Sequence, residues 1–181
     1  MKRRFRATGL IALVVVPVIA GSSAKLQAAD VVSQELTHGG SETGYFQVPR
    51  NHAAMHNAVT EARKTIRQFI KALKHPATGQ EDFEVKKAFT EGNQVEHIWI
   101  ADVQIIGKHL LQGRVDNQPR KITGVKLGQV VTVNPKEISD WLYIDNGNLV
   151  GGYTVRVHYD ELSPKEKAEF DREATFKIGK Q

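Results

Sequence analysis

Apolar residues recur at gaps of three and four from Met55 to Leu73: Met55, Val59, Ala62, Ile66, Phe69, Ile70 and Leu73. That spacing draws one continuous stripe along a helix over residues 52–74. Asn51 stands where an N-cap belongs, and Pro76 ends the helix soon after. A helix with a single apolar stripe has to bury it, and the following chain supplies a sheet to bury it against.

From Phe83 the apolar period becomes two, the strand period. Phe83, Val85 and Phe89 mark one strand. Glu96, Ile98 and Ile100 alternate with His97, Trp99 and Ala101 in a second, which runs on to Ile106. Gly107-Lys108 turns into residues 109–115, and Asp116-Asn117-Gln118-Pro119 turns again. Gly124 and Gly128 frame a bend before Val130–Val133, and 135–139 forms one helical turn. Trp141–Ile144 is a strand, and Asp145-Asn146-Gly147-Asn148 is a hairpin signal. Residues 153–159, after Gly151-Gly152, fit either a strand or the start of a helix. Ser163-Pro164-Lys165-Glu166 is a capping box with Pro at the first helical position, opening a short helix to about Ala174. The order predicts an α+β domain over 51–176. In it the N-terminal amphipathic helix packs on a strongly bent antiparallel sheet or partial barrel, with a short C-terminal helix and a frayed tail at 177–181.

The N-terminus predicts export. Met1-Lys2-Arg3-Arg4-Phe5-Arg6 is a positive start, Leu10–Ala20 is apolar, and the small residues Ala24, Ala28 and Ala29 follow. This is the order of a secretory signal peptide over 1–28, cleaved after Ala28 in preference to Ala24 or Ala29. The apolar run falls short of the roughly 20 residues that a spanning helix needs, so no stable membrane anchor is expected after cleavage. Residues 29–50 read as a loosely ordered leader, and the mature protein is expected to be periplasmic or secreted.

Removing that segment changes the charge. The full chain carries 25 Lys and Arg against 20 Asp and Glu, and a pI of about 9.4. Lys2, Arg3, Arg4, Arg6 and Lys25 account for the whole excess, so the remainder is balanced at 20 against 20. A nucleic-acid partner is therefore not expected, because phosphate binding needs a basic surface that survives processing. Positive charge is concentrated locally instead: Arg50, Arg63, Lys64, Arg67, Lys71 and Lys74 against Glu61. That face is either simply solvated or suited to an acidic partner or anionic head groups. The chain has no cysteine, which excludes a disulfide framework and a cysteine nucleophile.

Several separated pieces occur in a recognisable order: Phe83-x-Val85-Lys86, Glu96-His97-Ile98-Trp99, Ile138-Ser139-Asp140-Trp141 and Gly147-x-Leu149-x-Gly151-Gly152-Tyr153-Thr154-x-Arg156. With the Ala62-Arg63 helix before them and Leu162-Ser163-Pro164 after, the stretch from Met55 to Phe170 resembles DUF2314, the YegJ-like bacterial domain of unknown function. The resemblance implies a compact α+β domain and transfers no activity, cofactor or catalytic residue. Small bacterial domains of this general style also occur beside secreted toxins as immunity proteins, a fold-level analogy.

Among these pieces His97, Trp99, Asp140, Trp141, Gly151, Gly152 and Arg156 are the candidate binding residues. His97 and Trp99 share one strand face and Glu96 the other, so Glu96 and His97 do not cooperate directly without a bulge. One of the two lies against the core and needs a hydrogen-bond partner. Asp140 can cap backbone amides or pair with Arg156 or His97, Trp141 is a core anchor, and Gly151-Gly152 either bends the chain or lets a ligand approach. No phosphate loop, dinucleotide fingerprint or nucleophile elbow is present, so no cofactor is expected. His52 and His56 have a chelating spacing but lack a His-Glu-x-x-His motif and a neighbouring acid, so no metal is expected. The expected function is a non-enzymatic protein-binding or inhibitor/immunity-like module with a partner in the cell envelope. The alternative is an envelope hydrolase or carbohydrate-binding enzyme using His97, Asp140 and Glu96.

Overall fold

The structure is a computed structural model that describes residues 52–179, with the backbone of Gln34–Glu35 and Tyr45–Phe46. The export segment 1–28, most of the leader and the cap position Asn51 lie outside the described residues. Gln34–Glu35 (β1) and Tyr45–Phe46 (β2) pair as a two-stranded antiparallel sheet. The main body runs α1 (His52–Lys74), β3 (Gln80–Glu91), β4 (Gln94–Ile106), β5 (Leu110–Val115), β6 (Val130–Val133), a 3-10 turn at Pro135–Glu137, β7 (Ile138–Asp145), β8 (Asn148–Gly151), α2 (Tyr153–Glu161) and α3 (Pro164–Glu173).

Six strands form one antiparallel sheet in the order β6-β5-β4-β3-β7-β8. It is not closed: β6 and β8 are its two edges. Its ladders shift register between Glu81 and Glu84, between Lys86 and Lys87, and between Ala101 and Gln104. Asp82 and Asp102, inside two of these shifts, have φ of 52° and 51°. Extra residues of this kind bend a strand and increase its twist. The fold is α+β, and no helix among the described residues is long and apolar enough to cross a membrane.

The two sheet faces carry different layers. Val85 pairs with Ile100 on one side and Trp141 on the other, and this row packs against α1 through Ala62 and Phe69. Trp141 Nε1 donates to the Ala62 carbonyl at 2.9 Å, which fixes α1 over β7. Arg63 Nε donates to the Ile138 carbonyl at 2.8 Å and holds the same pair further along. The adjacent row, Lys86 between Trp99 and Asp140, alternates out of that row beside the register shift at Lys86–Lys87 and faces α2 together with the first turns of α1. There Trp99, Leu142, Ile144 and Leu149 pack with Val155 of α2 and Phe176. Covered on both faces, β7 is buried along nearly its whole length, as its unbroken apolar run Trp141–Ile144 implies.

The β7–β8 hairpin turns through Asn146 and Gly147, both with positive φ (48° and 78°), the geometry that a two-residue hairpin loop prefers. Residues 153–159 form a helix, α2, which settles the alternative left open by their sequence. Gly151 and Gly152, with φ of 72° and 62°, end β8 and turn the chain into it. The capping box at Ser163 forms as expected. Lys177 is tied to the β7–β8 hairpin: Leu149 N donates to the Lys177 carbonyl and Lys177 N to that of Gly147, while residues 180–181 of the segment expected to fray lie outside the described residues.

Candidate functional site

The N-terminus of α2 has no local side-chain cap, because Gly152 occupies the cap position. Asp140, from the neighbouring strand, does that work. Its Oδ1 accepts from the backbone N–H groups of Trp141 at 2.8 Å and Tyr153 at 3.1 Å. Its Oδ2 accepts from the Thr154 N–H at 2.7 Å and the Thr154 hydroxyl at 2.6 Å. An anion at a helix N-terminus is favoured by the exposed amides and the helix dipole. Burial pushes the Asp140 carboxyl up from its ordinary range, against the pull of the Thr154 hydroxyl, the Lys86 charge and the backbone amides.

The other candidates separate into bonded structure and pocket lining. Trp141 is in the core, as anticipated. A Cβ on Gly151 would stand 2.4 Å from the Trp141 carbonyl oxygen and 2.6 Å from its ring, so glycine is needed there for close packing. Gly152 is likewise pressed against Leu149. Arg156 is spent on backbone carbonyls: Nε donates to Gly151 at 2.9 Å, and other guanidinium nitrogens donate to Leu149 and Gly179. Trp99 is buried, with its backbone N–H donating to Asn117 Oδ1 at 2.8 Å.

Glu96 and His97 lie on opposite faces and do not meet. Glu96 accepts from the Arg120 and Lys121 backbone amides and anchors that loop. His97 Nδ1 lies 2.8 Å from Ser139 Oγ. Burial, then the charges of Lys86 and Arg63, bring the His97 imidazole down to about 4, so it is neutral near pH 7.

Lys86 is the residue the sequence reading passed over. It is 1 % exposed, and its Nζ has no hydrogen-bond partner among the described residues. The amine sits 5.3 Å from the centre of the Trp99 ring, a cation–π arrangement. Burial brings it down to about 8, with the Asp140 charge opposing the change. Lys86 and Thr154 are the most buried residues lining a pocket of about 170 Å³, whose other walls are His52, Met55, His56, Val59 and His97. Among the described residues, no three His, Cys, Asp or Glu side chains are grouped so as to hold a metal ion.

The model of a family described as an uncharacterized protein conserved in bacteria, DUF2314, matches residues 52–178. The chain belongs to that family. It is 33% identical over 119 residues to the uncharacterized protein YegJ of Escherichia coli, an alignment covering 64% of this chain and 73% of YegJ. It is 29% identical over 134 residues to a Neisseria meningitidis protein provisionally named as an ankyrin repeat protein, covering 70% of this chain and 53% of that one. The chain thus spans about half the length of the Neisseria relative. No solved structure matches. Within this DUF2314 domain, two of the motif pieces meet across β3 and β7: Phe83-x-Val85-Lys86 places Lys86 beside Asp140 of Ile138-Ser139-Asp140-Trp141. The Phe83-x-Val85-Lys86 motif is the one signal in the sequence that points to Lys86.

Proposed function

We propose that this DUF2314 protein is an exported, non-enzymatic protein-binding module, of the inhibitor or immunity kind, acting in the periplasm or outside the cell. One observation carries the reading: the acids of the hydrolase alternative are already engaged. Asp140 accepts four hydrogen bonds from its own chain, and Glu96 serves the Arg120–Lys121 loop from the opposite sheet face. A general acid or base needs free access to the proton it moves. The exposed basic residues of α1, Lys64, Arg67, Lys71 and Lys74, offer a surface for an acidic partner, since complementary charge speeds and orients encounter. The Neisseria relative carries about as much additional chain as matched chain, which suits a module joined to other parts.

The test is capture of an envelope partner by the protein and by an Arg67→Glu/Lys71→Glu variant. Capture should weaken by about tenfold or more on charge reversal, or ~1.4 kcal/mol, and should persist in Glu96→Gln. Hydrolysis of an ester or glycoside probe, abolished together by His97→Ala and Glu96→Gln, would overturn the reading in favour of the enzyme.

A further inference from the structure

A buried ammonium without hydrogen-bond partners is costly, because it gives up water and regains little. Around Lys86 the fold offers a ring face and a carboxylate already committed to four donors. A group left in this state in a folded protein calls for an explanation, such as a bound ion or a ligand. The pocket next to it has the size for one. A cavity of about 150 Å³ accepts a benzene-sized molecule, and this one holds about 170 Å³.

Its lining is one-sided in charge. Lys86 comes from β3, His97 from β4, and His52 and His56 from the first two turns of α1, with no acidic side chain among the described residues that line it. Behind the lining stand Arg63 of α1, whose charge acts on His97, Asp140 of β7, whose charge acts on Lys86, and His158 of α2, on which the Lys86 charge acts. The start of the 23-residue α1 adds the positive end of its dipole at the same place.

We propose that this pocket binds a small oxyanion, a carboxylate or phosphate group, with Lys86 as the counter-charge at its floor, His52 and His56 as donors around it and the His97 ring as a wall. The ligand is held electrostatically and not attacked. With the amine titrating at about 8, roughly nine molecules in ten carry the ammonium near pH 7, and an ammonium is not a nucleophile.

The experiment titrates the protein with sodium acetate and, separately, with inorganic phosphate at constant ionic strength. The proton–carbon NMR signal of the Lys86 ε-methylene reports occupancy. A saturable shift is expected, and the anion that saturates at lower concentration identifies the carboxylate or the phosphate arm. In Lys86→Met, which keeps the bulk and removes the charge, binding followed by the His97 ring signals should weaken at least tenfold. Lys87→Met should bind like the wild type, because the Lys87 ammonium is paired with Glu137. No saturable shift with either anion would overturn the proposal, and so would equal binding by Lys86→Met. The wild-type Lys86 signal decides the matter should that variant not fold.

Discussion

The Lys86 ammonium stands 5.3 Å from the centre of the Trp99 ring, its cross-strand neighbour on β4, with Asp140 as its neighbour on β7. This polar row crosses the middle of a sheet whose adjacent row is Val85, Ile100 and Trp141. The row is buried because α2 covers it, and α2 is placed there by Asp140.

Asp140 should therefore be a stability residue before it is anything else. Asp140→Ala removes the cap of α2 and leaves Lys86 without its carboxylate neighbour, a loss of about 3–5 kcal/mol. Asp140→Asn, which keeps the shape, should lose roughly half of that. Urea unfolding monitored by circular dichroism measures both. A loss below about 1 kcal/mol for the alanine variant would remove the capping role.

The acid limb of the stability profile should carry two histidines. Burial and the Lys86 charge bring His158 down to about 4, and the same two causes plus Arg63 do so for His97, against 6.5 for each unperturbed. Between those values the unfolded chain binds more protons than the folded one. Stability present above about 6.5 is thus lost as pH falls toward 4. The two together are worth on the order of 3 kcal/mol once solvent at the ring edges is allowed for. A His97→Gln/His158→Gln variant should flatten the profile between pH 6.5 and 4. An unchanged slope would mean that neither ring is held neutral.

Two glycines with positive φ should respond differently to alanine. Gly147, φ 78°, has open space where a Cβ would go, so Gly147→Ala should cost only the backbone term, about 1 kcal/mol. Gly151, φ 72°, meets the Trp141 carbonyl and ring, so Gly151→Ala should cost about 3 kcal/mol or more. Thermal melting of the pair checks this, and equal losses would contradict the close approach of Gly151 to Trp141.

Much of this architecture was legible from periodicity. The stripe Met55–Leu73 fixed α1 to its residue bounds, and alternation from Phe83 onward announced the strands. The conformation of 153–159 was not legible, because the helix is nine residues long and its cap comes from Asp140, thirteen positions before Tyr153. Lys86 was hidden for a related reason. In an alternating strand, a lysine beside Val85 reads as solvent-facing. Its burial comes from the distant strand β7, the helix α2 and the first turns of α1, which local spacing does not show. The roles of Glu96 and Arg156 likewise depend on carbonyls and amides in distant segments, which no local spacing encodes.

The claim that family motif residues converge on a buried, charged Lys86 is tested most directly by the amine's own titration. NMR of the Lys86 side chain across the alkaline range should show a midpoint at about 8, well below the unperturbed 10.5. A midpoint at or above 10.5 would contradict the account, because it would describe an amine open to water or firmly paired with an acid.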